Sequence, residues 1–232
     1  MTDAGSTPAD AAAVTVTVAG ERLELRPGRA AYWPRRQCLL LADPHFGKAG
    51  VFRRRGVAVP RGTTGGDLER LSRLLVATGA RELLVLGDFL HAAPEPGEPW
   101  LHEWAAWRER HAEVTIRVVA GNHDRHARAT GVDLGIAWHD EPQVMAPFVL
   151  AHEPGPDRRG YVLAGHLHPV LTLRGGGDRL RFPVFWLRQA VAVFPAFGAF
   201  TGGHGVAPGQ GDRVYAAGET AVVDCTGERV DG

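Results

Sequence analysis

The sequence predicts an α/β fold in which two mixed β-sheets pack together with helices outside them. Three observations carry that prediction. Over the first half, short apolar runs alternate with amphipathic stretches in the order strand, helix, strand, helix, strand. The second half holds mainly short apolar runs separated by turn residues, and many of the runs end on a residue able to bind a metal or move a proton. A chain of 232 residues is long enough for one sizeable core, so a single domain over 14–232 is expected, after a small, polar and disordered tail at 1–13.

Each element has its own signal. Residues 14–18 and 21–25 alternate apolar and polar side chains around Gly20, the pattern of a hairpin covering one edge of the fold. The run 38–42 is continuously apolar and stops at Asp43 and Pro44, as a buried strand feeding a loop does. Leu68, Leu71, Leu74 and Leu75 recur at helical spacing before Gly79, so a helix over 66–78 with a glycine stop follows. Strands at 83–86 and 116–120 end at Gly87 and Gly121, and between them residues 100–111 set Leu101, Trp104 and Trp107 on one helical face. That shared face marks the tryptophans as core rather than as a platform for stacked bases. Later strands are expected at 148–151, 161–164, 190–194 and 220–224, with a hairpin of 170–174 and 180–187 around a glycine turn at 175–177.

Composition narrows the function classes. With 26 basic and 26 acidic residues the formal charge is zero, so any polyanion must be met by local charge rather than by a global field. Two cysteines, Cys38 and Cys225, are too few for a disulfide framework or a thiolate zinc site, and a reducing, cytoplasmic setting is expected. No apolar run approaches the length of a bilayer span, so no membrane association is expected.

The polar residues fall where the strands end. Asp43 and His45, Asp88, Asn122 with His123 and Asp124, His152, and His166 with His168 each follow an apolar run. Ligands of open α/β sheets collect at the carboxyl ends of strands, so segments scattered in sequence can meet there. Singly, each fragment has a plain structural reading: Asp-Pro and Gly-Asn are common turns, and a lone histidine such as His152 is more often packed than ligating. Jointly they supply carboxylate, carboxamide and imidazole groups after successive strands, which independent turns have no reason to do.

Asp43-Pro44-His45, Gly87-Asp88, Gly121-Asn122-His123-Asp124, His152 and Gly165-His166-Leu167-His168 together resemble the full signature of the calcineurin-like metallophosphoesterases. The resemblance implies a four-layer αββα sandwich and a two-metal hydrolase of phosphoesters. It implies further that Asp43, His45 and His168 hold one divalent ion, that Asn122, His152 and His166 hold the other, and that Asp88 bridges them. Oxygen and imidazole donors without thiolate suit manganese first, with iron or zinc as alternatives. Two such cations about 3.5–4 Å apart activate water and clamp phosphoryl oxygens for in-line attack. His123 is then left as the general acid for the leaving oxygen, with Asp124 holding its ring; the competing reading gives His123 a supporting structural role.

A narrower resemblance is to the DNA-ligase-associated metallophosphoesterases (PdeM). It rests on residues 41–48, on 52–56 with Pro60, on 87–91 and on 195–203. What it implies is a bacterial phosphodiesterase or endonuclease acting on DNA, linked to DNA repair and associated in function with a DNA ligase and a helicase. Lys48, Arg53, Arg54 and Arg55 lie just beyond the first metal loop, where phosphates flanking the scissile bond can be bound; a solvated face is the plain alternative. His91 either contacts substrate or packs beneath the site. Two rival functions stand beside the phosphodiesterase: a phosphatase or pyrophosphatase of nucleotides or other small phosphoesters, and a scaffold that has lost its chemistry. The filled signature positions argue against the scaffold.

Overall fold

A computed structural model of the chain describes residues 13–59, 62–128, 131–175 and 178–227. Outside these lie the expected tail up to residue 12, Pro60, and residues 176–177 of the expected glycine turn.

The first sheet holds β1 (Val14–Val18), β2 (Glu21–Arg26), β3 (Ala30–Trp33), β4 (Cys38–Leu41), β5 (Glu82–Leu86), β6 (Thr115–Val119) and β7 (Ala137–His139), side by side in chain order. β1 to β4 pair antiparallel and β4 to β7 pair parallel. Parallel neighbours need crossovers. α1 (Lys48–Arg54) and α2 (Thr63–Thr78) lie between β4 and β5, α3 (Pro99–Arg110) between β5 and β6, and α4 (Asp124–Ala127) after β6. α2 stops at Gly79, whose left-handed backbone (φ 61°) lets its N–H reach Leu75 O, and α3 starts on Pro99, where no N–H is needed.

Alternation sorts the side chains of this sheet. Leu39, Leu41, Leu83, Val85, Ile116 and Val118 pack with Leu68, Leu71, Trp104 and Trp107 of the helices. Leu40, Ala42, Leu84, Leu86 and Val119 turn the other way, into a cluster with Phe148, Leu150, Leu163, Phe185 and Phe194 of the second sheet. Burial on both faces is why these strands appear as unbroken apolar runs. The indole N–H groups are satisfied within the core: Trp104 Nε1 donates to Leu134 O (3.0 Å) and Trp107 Nε1 to Ser72 Oγ (2.9 Å).

The second sheet contains β8 (Gln143–Met145), β9 (Phe148–Leu150), β10 (Tyr161–Ala164), β11 (Pro169–Gly175), β12 (Asp178–Leu187), β13 (Val191–Val193), β14 (His204–Gly205), β15 (Arg213–Ala217) and β16 (Val222–Asp224). Its order is β14-β11-β12-β13-β10-β9-β8, with β15 on β12 and β16 on β15. β9, β10 and β13 run parallel, while β11 and β12 form an antiparallel hairpin. The result is a mixed α/β fold of two sheets sharing one core and flanked by helices. Among the described residues no helix is long and apolar enough to cross a membrane.

Candidate metal centre

Five loops, each leaving the carboxyl end of β4, β5, β6, β9 or β10, carry the candidate ligands. The parallel register sets Leu41 beside Val85 and Leu86 beside Val119, so the first three loops emerge together. Backbone bonds continue the pairing past the strand ends: Asp43 N–H donates to Gly87 O (3.1 Å) and His45 N–H to Asp88 O (3.0 Å). The other two loops arrive from the second sheet so closely that glycine is required. A Cβ on Gly87 would lie 2.1 Å from His152 Nδ1, and one on Gly165 would lie 2.5 Å from Asp43 Oδ2. Five of the eight non-glycine residues with positive φ among those described are Asp43, His45, Asp88, His166 and His168. Left-handed backbone costs an L-residue about 1–2 kcal/mol, so the surrounding structure is holding these loops in a conformation they would not choose alone.

The structure brings Asp43, His45, Asp88, Asn122, His152, His166 and His168 together. His152 Nε2 lies 2.8 Å from Asn122 Oδ1, 3.0 Å from His166 Nδ1 and 3.5 Å from Asp88 Oδ2. His45 Nε2 lies 3.3 Å from His168 Nε2 and 3.9 Å from Asp88 Oδ2, and His168 Nε2 is 3.7 Å from Asp43 Oδ2. Donors bound to one transition-metal ion at about 2.1 Å and near right angles stand about 3.0 Å apart, so the shortest of these spacings suit cation ligands.

The protonation chemistry agrees. His152 Nδ1 is 3.3 Å from Leu86 O; with the proton on Nδ1, Nε2 presents a lone pair to the lone pair of Asn122 Oδ1, a repulsive contact unless a cation is shared. Burial pushes the His45 imidazole down to about 2, helped by His168, Lys48, His123 and His91, so it is neutral and ready to ligate. Asp43 Oδ1 and His45 Nδ1 are buried without a hydrogen-bond partner, and burial raises the carboxyl of Asp88. The groups Asp43–His45–His168 and Asp43–Asp88–His152 each have their ligand atoms within 4.8 Å of one another. The residues therefore fit divalent cations.

His123 lies beside this cluster, with Nε2 4.0 Å from Asp88 Oδ2 and its backbone N–H on Asp88 Oδ1 (2.9 Å). One expectation needs correction: Asp124 does not hold the His123 ring. Its carboxylate accepts the backbone N–H groups of Phe89 (3.1 Å), Leu90 (2.8 Å) and Gly121 (3.0 Å), clamping two of the loops together. Burial pushes its carboxyl up to about 6, against those three donors. The ring of His123 is held instead through Nδ1, 2.7 Å from His91 O. His91 stacks on His123 at 5.0 Å and meets His45 edge-on at 5.6 Å, and its own Nδ1 is buried without a partner.

The basic residues separate. Lys48 is half-buried; burial lowers its pKa while Asp43 and Asp88 oppose the shift, so its ammonium lies within the field of the candidate ligands. Arg53, Arg54 and Arg55 are exposed at the end of α1, and Arg54 is paired with Glu98 rather than left open to a phosphate. Two further elements support the site, of which the first carries no motif. Glu141 Oε2 accepts the His152 backbone N–H (2.6 Å) while Arg125 Nη2 donates to its Oε1 (2.6 Å). In the segment at 196–203, Phe197 N–H donates to Ala42 O (2.7 Å), and α2 secures the segment through Asp67 and Arg70.

The model of the calcineurin-like phosphoesterase family matches residues 37–186. The chain is 42% identical to the nuclease MPE of Pseudomonas putida, whose crystal structure superposes with a TM-score of 0.80, the match covering 91% of this chain and 99% of that one. A phosphoesterase from E. coli, Yfce, is 17% identical with a TM-score of 0.46, covering 80% of this chain and 96% of that one. No curated protein matches at the level these structures do. The family match spans more than half of the sequence and includes every candidate ligand, so the chain belongs to the calcineurin-like phosphoesterases and is a metal-dependent hydrolase of ester bonds.

Proposed function

We propose that this enzyme is a two-metal phosphodiesterase that cleaves nucleic acid, with DNA as its substrate and DNA repair as its setting. The observation that carries the reading is the 42% identity, over 91% of the chain, to a protein described as a nuclease. The blocks at 41–48, 52–56 and 195–203 support the narrower placement among DNA-ligase-associated phosphoesterases, and with it a functional association with a ligase and a helicase. Residues 14–232 act as one domain in this reading.

Asp43, His45 and His168 hold one cation, and Asn122, His152 and His166 hold the other. Asp88 is shared, a role supported by its Oδ2 lying 3.5 Å from His152 Nε2 and 3.9 Å from His45 Nε2. Manganese suits the mixed oxygen and imidazole donors. When bound, the cations supply Lewis-acid activation of water and of the phosphoryl oxygens. His123 gives the leaving oxygen its proton: Nδ1 is occupied by His91 O, Nε2 is the nitrogen facing Asp88, and the side chain is 37% exposed, so substrate can reach it. Lys48 and His91 border the reacting phosphate, and Arg53 and Arg55 face the phosphates beyond it.

The test is purified protein loaded with manganese and assayed side by side on a phosphomonoester, a small phosphodiester, and single- and double-stranded DNA. Diester and DNA cleavage are expected, and Asp88→Asn reduces both to near background while lowering metal content at both positions. His152→Ala depletes mainly one. Rapid monoester or nucleotide hydrolysis, with diesters and DNA untouched, would replace this reading by a phosphatase.

A further inference from the structure

We infer that a second anionic subsite lies beside the metal centre, between the β11–β12 hairpin and the 196–203 segment, and that it receives a backbone phosphate of the nucleic-acid strand away from the scissile bond. The inference rests on the nuclease reading above. A cavity of about 260 Å³ opens there, with His168 in its wall, so it is continuous with the candidate ligands. Arg29 and Arg181 also line it, and no carboxylate does among the described residues. The volume falls below the roughly 300–1,000 Å³ that encloses a whole small molecule, and suits one sugar-phosphate unit of a longer chain.

The two guanidinium groups are placed by contacts that leave donors to spare. Arg29 leaves the β2–β3 turn, and its Nη1 reaches Gly198 O (3.3 Å) and Ala196 O (3.5 Å). Its Nη2 forms a long ion pair with the exposed Glu219 (3.9 Å), which a bound phosphate would share or displace, and its Nε is buried, so the Nη groups are the donors that face the cavity. Arg181, exposed on β12, donates from Nη2 to Gly203 O (2.8 Å). A guanidinium has five N–H donors, so each arginine is positioned by carbonyl oxygens and still able to bind an anion. Gly203 is needed for the floor of the groove, since a Cβ there would lie 2.3 Å from Val170 Cγ1. Val170 and Pro183 offer an apolar wall to the sugar. With 26 basic and 26 acidic residues the protein has no global field for a polyanion, so a local pair of arginines, opposed nearby only at Arg29 by the exposed Glu219 and by Asp67, is where strand affinity can arise.

The experiment uses the manganese-loaded enzyme, a series of oligonucleotides of increasing length, and a small aryl phosphodiester as the reference substrate. Arg181→Glu carries the test because the residue is exposed; Arg29→Gln accompanies it, with thermal unfolding checked, since Arg29 also ties down the 196–198 backbone. The expected result is that the ratio of oligonucleotide to small-diester kcat/KM falls about 10-fold or more in Arg181→Glu. The gain in rate with oligonucleotide length is lost as well, and the salt dependence on single strands flattens by about 0.7 in log–log slope, the equivalent of one phosphate. If wild type and Arg181→Glu cleave oligonucleotides equally, with the same salt slope, the subsite is wrong and the nuclease reading stands. If wild type hydrolyses the small diester but no oligonucleotide, both fall.

Discussion

His123 and Asp124 are neighbours in the chain, yet they serve different parts of the site. The Asp124 carboxylate is occupied by three backbone N–H groups, and the His123 ring is oriented by a carbonyl oxygen. His123→Asn is therefore expected to keep its metals and to lose about 10²–10⁴-fold in rate on substrates with an alkoxide-like leaving group, and less on an activated aryl ester. Equal losses on both, or lost metal, would show that His123 serves coordination or structure. His45 adds a pH effect. Its folded pKa is about 2, whereas an unfolded histidine titrates near 6.5, so between those values the unfolded chain of the metal-free protein carries one proton more. Stability of the metal-free protein then falls as pH drops below about 6.5, by about 1.4 kcal/mol per pH unit for a full proton. His91, pushed down to about 4 by burial, adds a loss of the same sign, and Asp124, pushed up to about 6, opposes both below that pH. The His45 share is therefore read as a difference, and denaturant midpoints between about pH 8 and pH 5 should fall less in His45→Gln than in wild type.

At the scale of elements, the doubly buried strands and the leucine-spaced helix were legible, because their signals are periodic and local. The helix expected at 66–78 begins at Thr63, and that expected at 100–111 runs over Pro99–Arg110. β3 and α1 gave no such signal. β3 is four residues long and ends against Pro34, while α1 buries only Ala49 and so shows a run of arginines in place of an apolar stripe. The glycines that join strands to ligands give an element-level test. Gly87→Ala combines φ +84° with a Cβ position 2.1 Å from His152 Nδ1, so a loss of more than about 1–2 kcal/mol together with metal depletion is expected. Gly66→Ala, inside α2 with nothing within 4 Å of the added Cβ, is expected instead to stabilise by up to about 1 kcal/mol. Thermal unfolding and metal analysis of the pair would check both signs.

For the whole molecule, the cluster joining the sheets sets the prediction. Phe185 from β12 is fully buried with Leu40, Leu84 and Leu86 of the first sheet, so Phe185→Ala should cost about 3–5 kcal/mol and leave one cooperative unfolding transition. Two separated transitions would mean that the sheets unfold independently. The sequence by itself determined the α/β class and which residues stand at strand ends, because hydrophobic period and turn chemistry are properties of neighbouring residues. Only the tertiary structure decided that Asp124 clamps backbone, that Arg54 pairs with Glu98, that Glu141 supports His152, and that Arg29 and Arg181 line one groove. Apart from Gly121, three residues before Asp124, those partners are not neighbours along the chain, and spacing within a sequence says nothing of a distance set by tertiary packing.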